Sequence, residues 1–306
     1  MKTGPAVSIA RSSLTRFAWL SIAAAIITIG LKSFAYLLTG SVGLLSDAVE
    51  SIINLVGAIM ALWMLTIAAR PADEVHAFGH SKAEYFSSIS EGVLILIAAA
   101  GIGYTAVERI FNPVALDQIG VGVLISIVGS AVNFIVARIL MDAGKKNNSI
   151  TLEADAQHLM ADVWTSVGVV TGIGLIALTG WSRLDPIVAI IVSVNIVWTG
   201  IGLVRRSVDG LMDTALPEHE REAVQIVMEN FRQKNVVFHA LRTRQAASKR
   251  FLTVHMLVPG AWTVHDAHHV AEDFEGEIRT VLGDAVISTH LEPVEDQISM
   301  DDIHEA

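Results

Sequence analysis

His158 and Asp162 stand four residues apart within Thr151–Thr179, a stretch that otherwise has the apolar character of a membrane helix. That spacing puts an imidazole and a carboxylate on one helical face, one turn apart. Ionisable side chains inside a bilayer are costly and mark ion pathways. Asp47, Glu50 and Asn54 form a second polar face, at i, i+3 and i+7, in another apolar segment. Turned toward each other, the two faces offer nitrogen and oxygen ligands suited to a tetrahedral zinc ion. Simpler readings stand beside this one. Asp47 lies near the start of its segment and could cap it or hydrogen-bond locally. Glu50, Asn54, His158 and Asp162 could be interhelical hydrogen bonds. Lys32, inside the first apolar segment, either snorkels to the interface or pairs with an acid such as Asp47.

Two further groups carry metal-ligand chemistry. Asp73, His76 and His80 lie in Arg70-Pro-Ala-Asp-Glu-Val-His-Ala-Phe-Gly-His80. They could hold a cation, at the cost of ordering the loop, or they are a solvated polar loop. Toward the C-terminus, His239, His255, His268 and His290 with Glu292 are spread over candidate strands and a helix, with His265 and His269 flanking. A single strand histidine is more often structural, but several on adjacent elements suggest a metal site. The sequence has no cysteine, which excludes thiolate ligands and disulfides. It also has no H-E-x-x-H, the signature an intramembrane metalloprotease would need.

The elements that must position these residues follow from composition. The 306 residues are 52% hydrophobic, with a mean hydropathy of +0.54. That is the range of a multi-span membrane protein. Six segments are long enough to cross about 30 Å of hydrocarbon, which takes about 20 helical residues. They are Phe17–Leu38, Val42–Ile67, Ser87–Ile110, Ile119–Met141, Ala154–Thr179 and Pro186–Val204, with a link expected from Asp142 to Glu153. The first is read as a retained span, because no small-residue cleavage site follows a short apolar region. Lys2, Arg11, Arg16, Arg70, Lys82, Lys145, Lys146, Arg205 and Arg206 gather on one side, against Arg109 and Arg183 on the other. By the positive-inside rule both termini are cytoplasmic.

Residues 1–206 carry 13 basic and 13 acidic side chains, and residues 207–306 carry 8 and 18. The net charge of −10 therefore resides in a C-terminal soluble domain. Such acidity argues against nucleic acid as a partner. Here the periodicity gives a helix over Pro217–Phe231, strands over Val236–Arg244 and Phe251–Val258, a helix over Val264–Leu282 and a strand over Ala285–Leu291. The expected fold is a six-helix transmembrane domain, 1–206, followed by a cytoplasmic α+β domain of order αββαβ, 207–306.

Four stretches together resemble the cation diffusion facilitator family. They are Ser41-Val-Gly-Leu-Leu-Ser-Asp-Ala-Val-Glu-Ser, Pro71-Ala-Asp-Glu-Val-His-Ala-Phe-Gly-His-Ser-Lys-Ala-Glu84, Glu153-Ala-Asp-Ala-Gln-His-Leu-Met-Ala-Asp162 and Leu241-Arg-Thr-Arg-Gln245. The resemblance runs from the first span to Pro293. It implies a homodimeric divalent-cation/proton antiporter, not an enzyme, with a metallochaperone-like cytoplasmic domain, in a bacterial inner membrane. It implies a transport site of Glu50, Asn54, His158 and Asp162, a loop site of Asp73, His76 and His80, and tail sites drawing on His239, His255, His268, His290 and Glu292. It also implies that Lys82 and Asp213 interlock the two domains at the dimer interface. One departure bears on the cargo. Bacterial zinc and iron members usually carry Asp at both second-span positions, where this chain has Glu50 and Asn54. Zn²⁺ is the first expectation because His158 is a nitrogen ligand. Fe²⁺, Mn²⁺, Co²⁺ and Ni²⁺ stay open, as does a transport-impaired metal-sensing scaffold or a passive channel.

Overall fold

The computed structural model describes residues 14–39, 42–112, 119–179, 181 and 183–300. The chain divides into two compact units, Met1–Val208 and Asp209–Ala306.

Among the described residues the first unit has six long helices: α1 (Thr15–Thr39), α2 (Val42–Ala68), α3 (Ala83–Phe111), α4 (Ile119–Asn147), α5 (Ile150–Thr179) and α6 (Leu184–Leu211). Helices satisfy their own backbone hydrogen bonds, as lipid requires. Among the described residues, Thr15–Phe34, Ala83–Phe111, Ile127–Asn147 and Pro186–Leu211 are long and apolar enough to cross a membrane, and α2 adds a shorter apolar stretch, Asn54–Ala68. The unit is apolar outside and polar within. Trp19, Phe34, Leu37, Tyr104 and Trp198 are exposed, whereas Ser51, Asn54, Ser88, Glu91, Asn133, Asp155 and His158 are buried. That inversion of the water-soluble pattern makes this an integral membrane protein.

Small residues let the helices approach closely. Ala18, Ala58, Ala61, Ala154 and Ala156 are fully buried. α1 packs on α2 and α4, α4 on α5, and α3 on both α2 and α5. α6 reaches α3 through Ile196 and Leu203, which pack with Ile95 and Ala99. A side chain at Gly92 would meet Val204 at 2.6 Å, so that crossing depends on glycine.

The helices run beyond the segments expected from hydropathy. The link expected from Asp142 to Glu153 is reduced to Asn148 and Ser149 between α4 and α5. Asn148 takes a left-handed φ of 49°, which asparagine tolerates. The buried carboxylate of Glu84 then receives the hydroxyl of Ser149 at 2.5 Å and the backbone N–H of Thr151 at 3.5 Å. A carboxylate at a helix N-terminus is electrostatically favoured, so the helix starts earlier than its apolar stretch.

The second unit has the order αββαβ: α7 (Glu218–Arg232), β1 (Val237–Ala246), β2 (Lys249–Val258), α8 (Val264–Leu282) and β3 (Ala285–Pro293). The sheet order is β1-β2-β3, with β1 antiparallel and β3 parallel to β2. α7 and α8 supply Val224, Val227, Phe231, Phe274 and Ile278 to a core with Phe238, Val254, Met256 and Ile287 of the sheet. Phe231 meets Phe274 edge-on at 5.5 Å, a favoured aromatic geometry. The side chains of alternate strand residues point to the face opposite that core.

Candidate functional site

The polar centre of the membrane unit is assembled from five helices. His158 on α5 meets Asn54 on α2, Nε2 to Oδ1 at 2.6 Å. An amide oxygen only accepts, so Nε2 carries the proton in this arrangement. The Asn54 amide nitrogen in turn donates to Oδ2 of Asp162. Asn133 of α4 donates to the same oxygen at 3.3 Å. On the other edge of the ring, Nδ1 of His158 lies 2.8 Å from Oε2 of Glu91 on α3. Asp155, one turn before His158, accepts from Ser21 of α1 at 3.0 Å. The charge of Lys32 acts on Asp162. Of the residues expected here, Asn54, His158 and Asp162 come together. Asp47 and Glu50 stand on α2, and their side chains lie outside the described residues.

Glu91, Asn133 and Asp155 were not part of the expected site. Each carries a signal in the sequence, a polar side chain in an otherwise apolar segment. None has a partner at helical spacing that would have tied it to His158, except Asp155 at i−3.

In the loop between α2 and α3, Asp73 is the organising residue. Its Oδ1 accepts the backbone N–H groups of Val75 at 3.1 Å and His76 at 2.6 Å, a turn that aspartate favours. The backbone N–H of His76, above all, holds the Asp73 carboxyl below its ordinary value of 3.8. His76 Nδ1 lies 3.2 Å and His80 Nε2 3.3 Å from the two carboxylate oxygens. His80 directs Nδ1 to the carbonyl of Pro71 at 3.1 Å, which fixes that nitrogen as the donor and leaves Nε2 for a cation. Gly79 supports the turn with a φ of 85°. The three ligand atoms lie within 4.8 Å of one another.

The third constellation sits on the face of the sheet opposite the core. His239 pairs with His255, and His255 with His290, so one row of imidazoles crosses all three strands. Glu292 lies two residues beyond His290 and shares its face. Its oxygens lie 2.8 Å from His239, 3.0 Å from His255 and 3.4 Å from His290. His239, His255 and Glu292 satisfy a metal-site spacing, as the loop trio does. His268 is not in this row. It stands exposed on α8 with its ring 6.1 Å from that of His269. Asp213 pairs with Arg244, 3.1 Å apart. Lys82 precedes the first turn of α3.

The profile of the cation efflux transmembrane domain matches residues 18–212, and that of the cation efflux protein cytoplasmic domain matches residues 216–294. The chain belongs to the cation diffusion facilitator family. This family member is 52% identical over 280 residues to the uncharacterized transporter sll1263 of Synechocystis, covering 92% of this chain and 90% of that one. It is 27% identical to the cation-efflux pump FieF of Escherichia coli, over 92% of this chain and 93% of the pump. The FieF of Citrobacter koseri is also 27% identical, over 86% and 87%. A solved structure of CzrB in its zinc form is 26% identical over 28% of this chain and 97% of its own, with a TM-score of 0.26. As a family member the chain is a membrane transporter of divalent cations, with a cytoplasmic domain, rather than an enzyme.

Proposed function

We propose that the chain exports a divalent transition-metal cation from the cytoplasm in exchange for protons, with zinc as the first candidate. It does so as a homodimer of six-span subunits, α1–α6, in a bacterial inner membrane with both termini cytoplasmic. The observation that carries this reading is the contact of His158 with Asn54 across α5 and α2, buried and continued to Asp162. Asp47 and Glu50 on α2 would complete the donor set. Asp73, His76 and His80 would receive the cation at the membrane surface. His239, His255, His290 and Glu292 would hold regulatory metal in the tail, and His268, on α8 outside their row, would serve a separate tail ion. Lys82 and Asp213 would interlock the domains of the dimer.

The proton bookkeeping follows from the hydrogen bonds. Without cargo, Nε2–H of His158 donates to Asn54. A cation needs the lone pair on that nitrogen, so the proton must leave as the cation arrives. Oδ1 of Asn54 then loses its donor and can turn to the cation. On the acidic side the exchange reverses. The cargo's negative partners are few, because Asn54 is neutral. This relaxes the preference for zinc and keeps Fe²⁺, Mn²⁺, Co²⁺ and Ni²⁺ as candidates.

The test is cation-stimulated proton flux in proteoliposomes with a trapped pH dye, across zinc, iron(II), manganese, cobalt and nickel. Flux with one or two of these establishes exchange and names the cargo. Flux that ignores the proton gradient would mean a channel. One observation favours a second reading, a metal-sensing scaffold that does not transport. Asn54 bridges Nε2 of His158 and Oδ2 of Asp162, giving both atoms a partner without a cation. Absence of flux with every cation, reversed by Asn54→Asp, would select that reading.

A further inference from the structure

Glu91 is the most deeply buried carboxylate beside the site, 1% exposed in the middle of the membrane unit. Its Oε2 lies 2.8 Å from Nδ1 of His158. The pair is close but not aligned as a hydrogen bond. Both Glu91 oxygens and Nδ1 of His158 therefore stand buried with no hydrogen-bond partner among the described residues. Burying a carboxylate this way is costly unless a positive charge or a donor answers it. A second observation shows that room is made for it. A Cβ on Gly57, one turn after Asn54 on α2, would meet the two Glu91 oxygens at 2.6 and 2.9 Å. Glycine at that position opens the notch that the carboxylate occupies.

We infer that Glu91 is a positioning residue of the transport site, acting through His158, and that it supplies negative charge which Asn54 lacks. A ligating imidazole commonly gives its second nitrogen's N–H to a carboxylate, which fixes the tautomer and raises ligand basicity. With Nε2 turned to the cation, Nδ1–H of His158 needs such an acceptor, and Glu91 is the carboxylate beside it. Glu91 also adds a third helix, α3, to a site read from α2 and α5. This inference rests on the reading of His158 as a cargo ligand.

The experiment titrates purified full-length protein with Co²⁺ and follows its visible d–d absorption. The background carries Asp73→Ala and His255→Ala, which silence the loop and tail clusters. Glu91→Gln, nearly isosteric, is expected to weaken Co²⁺ binding by about 10–100-fold. Adding Asn54→Asp to Glu91→Gln should recover about tenfold or more of that loss, because it restores the missing charge. A merely structural role would not produce that rescue. Should Glu91→Gln fail to fold, Gly57→Ala displaces the same carboxylate sterically and is read the same way. Unchanged affinity in the folded variant, or a loss that Asn54→Asp leaves as it was, overturns the inference. His158→Ala in the same background separates the two levels. If it abolishes binding while Glu91→Gln does not alter it, only the role of Glu91 falls. If His158→Ala binds Co²⁺ as the parent does, the transport-site reading falls with it.

Discussion

The membrane centre and the sheet cluster use the same chemistry, imidazole and carboxylate, in opposite settings. His158 and Glu91 have side chains only 7% and 1% exposed. In the tail, exposure rises along the row from 12% at His239 to 24% at His255 and 67% at His290. The tail row is therefore open to solvent at its His290 end. His158 is enclosed among the helices. Under the transport reading proposed above, the tail row would hold an ion and the membrane centre would pass it on, since alternating access needs a closed state. The second contrast is in the partners. Glu292 faces three histidines, whereas the amide of Asn54 bridges Nε2 of His158 and Oδ2 of Asp162 and leaves Nδ1 of His158 and both Glu91 oxygens without a hydrogen-bond partner among the described residues.

The sharpest way to break that comparison is His158→Ala. Proton-coupled cation uptake into inverted vesicles should vanish, and Asp162→Ala should do the same. Cation binding by the tail should persist in both. Full flux in His158→Ala would erase the distinction between the two regions.

Glu292→Ala is the reciprocal test. It removes the carboxylate against which three histidines stand, and should weaken tail affinity by about tenfold or more, seen by calorimetry. Its effect on flux should appear as a shift in half-saturation rather than loss of turnover. Cation held between two tails would also favour the dimer by mass action, so the dimer fraction should fall.

The loop adds a pH test with a definite sign. The Asp73 carboxyl is held below 3.8 chiefly by the backbone N–H of His76. A depressed carboxylate contributes loop order in full above its ordinary value, and loses it as pH falls through the lower folded value. Asp73 therefore leaves loop order unchanged between pH 7 and 5. His76→Ala should keep most of the depression, because the backbone N–H remains, while it removes a cation ligand. Carboxyl ¹³C titration of Asp73 in the two proteins checks this. A return to the ordinary range in His76→Ala would mean that the side chain, not the backbone, does the work.

The smallest expected effect concerns the helix behind the sheet. Thr263 caps α8, accepting from the backbone N–H of Asp266 at 3.2 Å, while Asp266 answers the backbone N–H of Thr263. The Thr263 hydroxyl is the main reason that the Asp266 carboxyl lies below 3.8. Thr263→Ala should cost about 1 kcal/mol in thermal unfolding of the tail. It should also move the Asp266 titration upward, with the tail's acid-side stability lost at a higher pH.

Much of this was readable along the chain, for a physical reason. A helix carries its neighbours in the sequence, so His158 and Asp162 declare their common face by spacing alone. The loop trio is likewise local, and Asp73 needs only three residues to complete its turn. The αββαβ order followed from a change of apolar period at the end of α6. The helix ends were less legible, because α4 and α5 are prolonged by Asn148, Ser149 and the distant Glu84 rather than by apolar residues.

What the sequence by itself determined is therefore the set of chemical groups and the elements that carry them. The tertiary structure alone decided which groups meet. Strand register set His239, His255 and His290 in one row with Glu292 beside it, and left His268 on a helix outside it. Helix packing brought Glu91 against His158 and Asn133 against Asp162. Local periodicity records the face a residue occupies on its own element. It does not record the neighbour across an interface, because that depends on close packing between segments far apart in the chain.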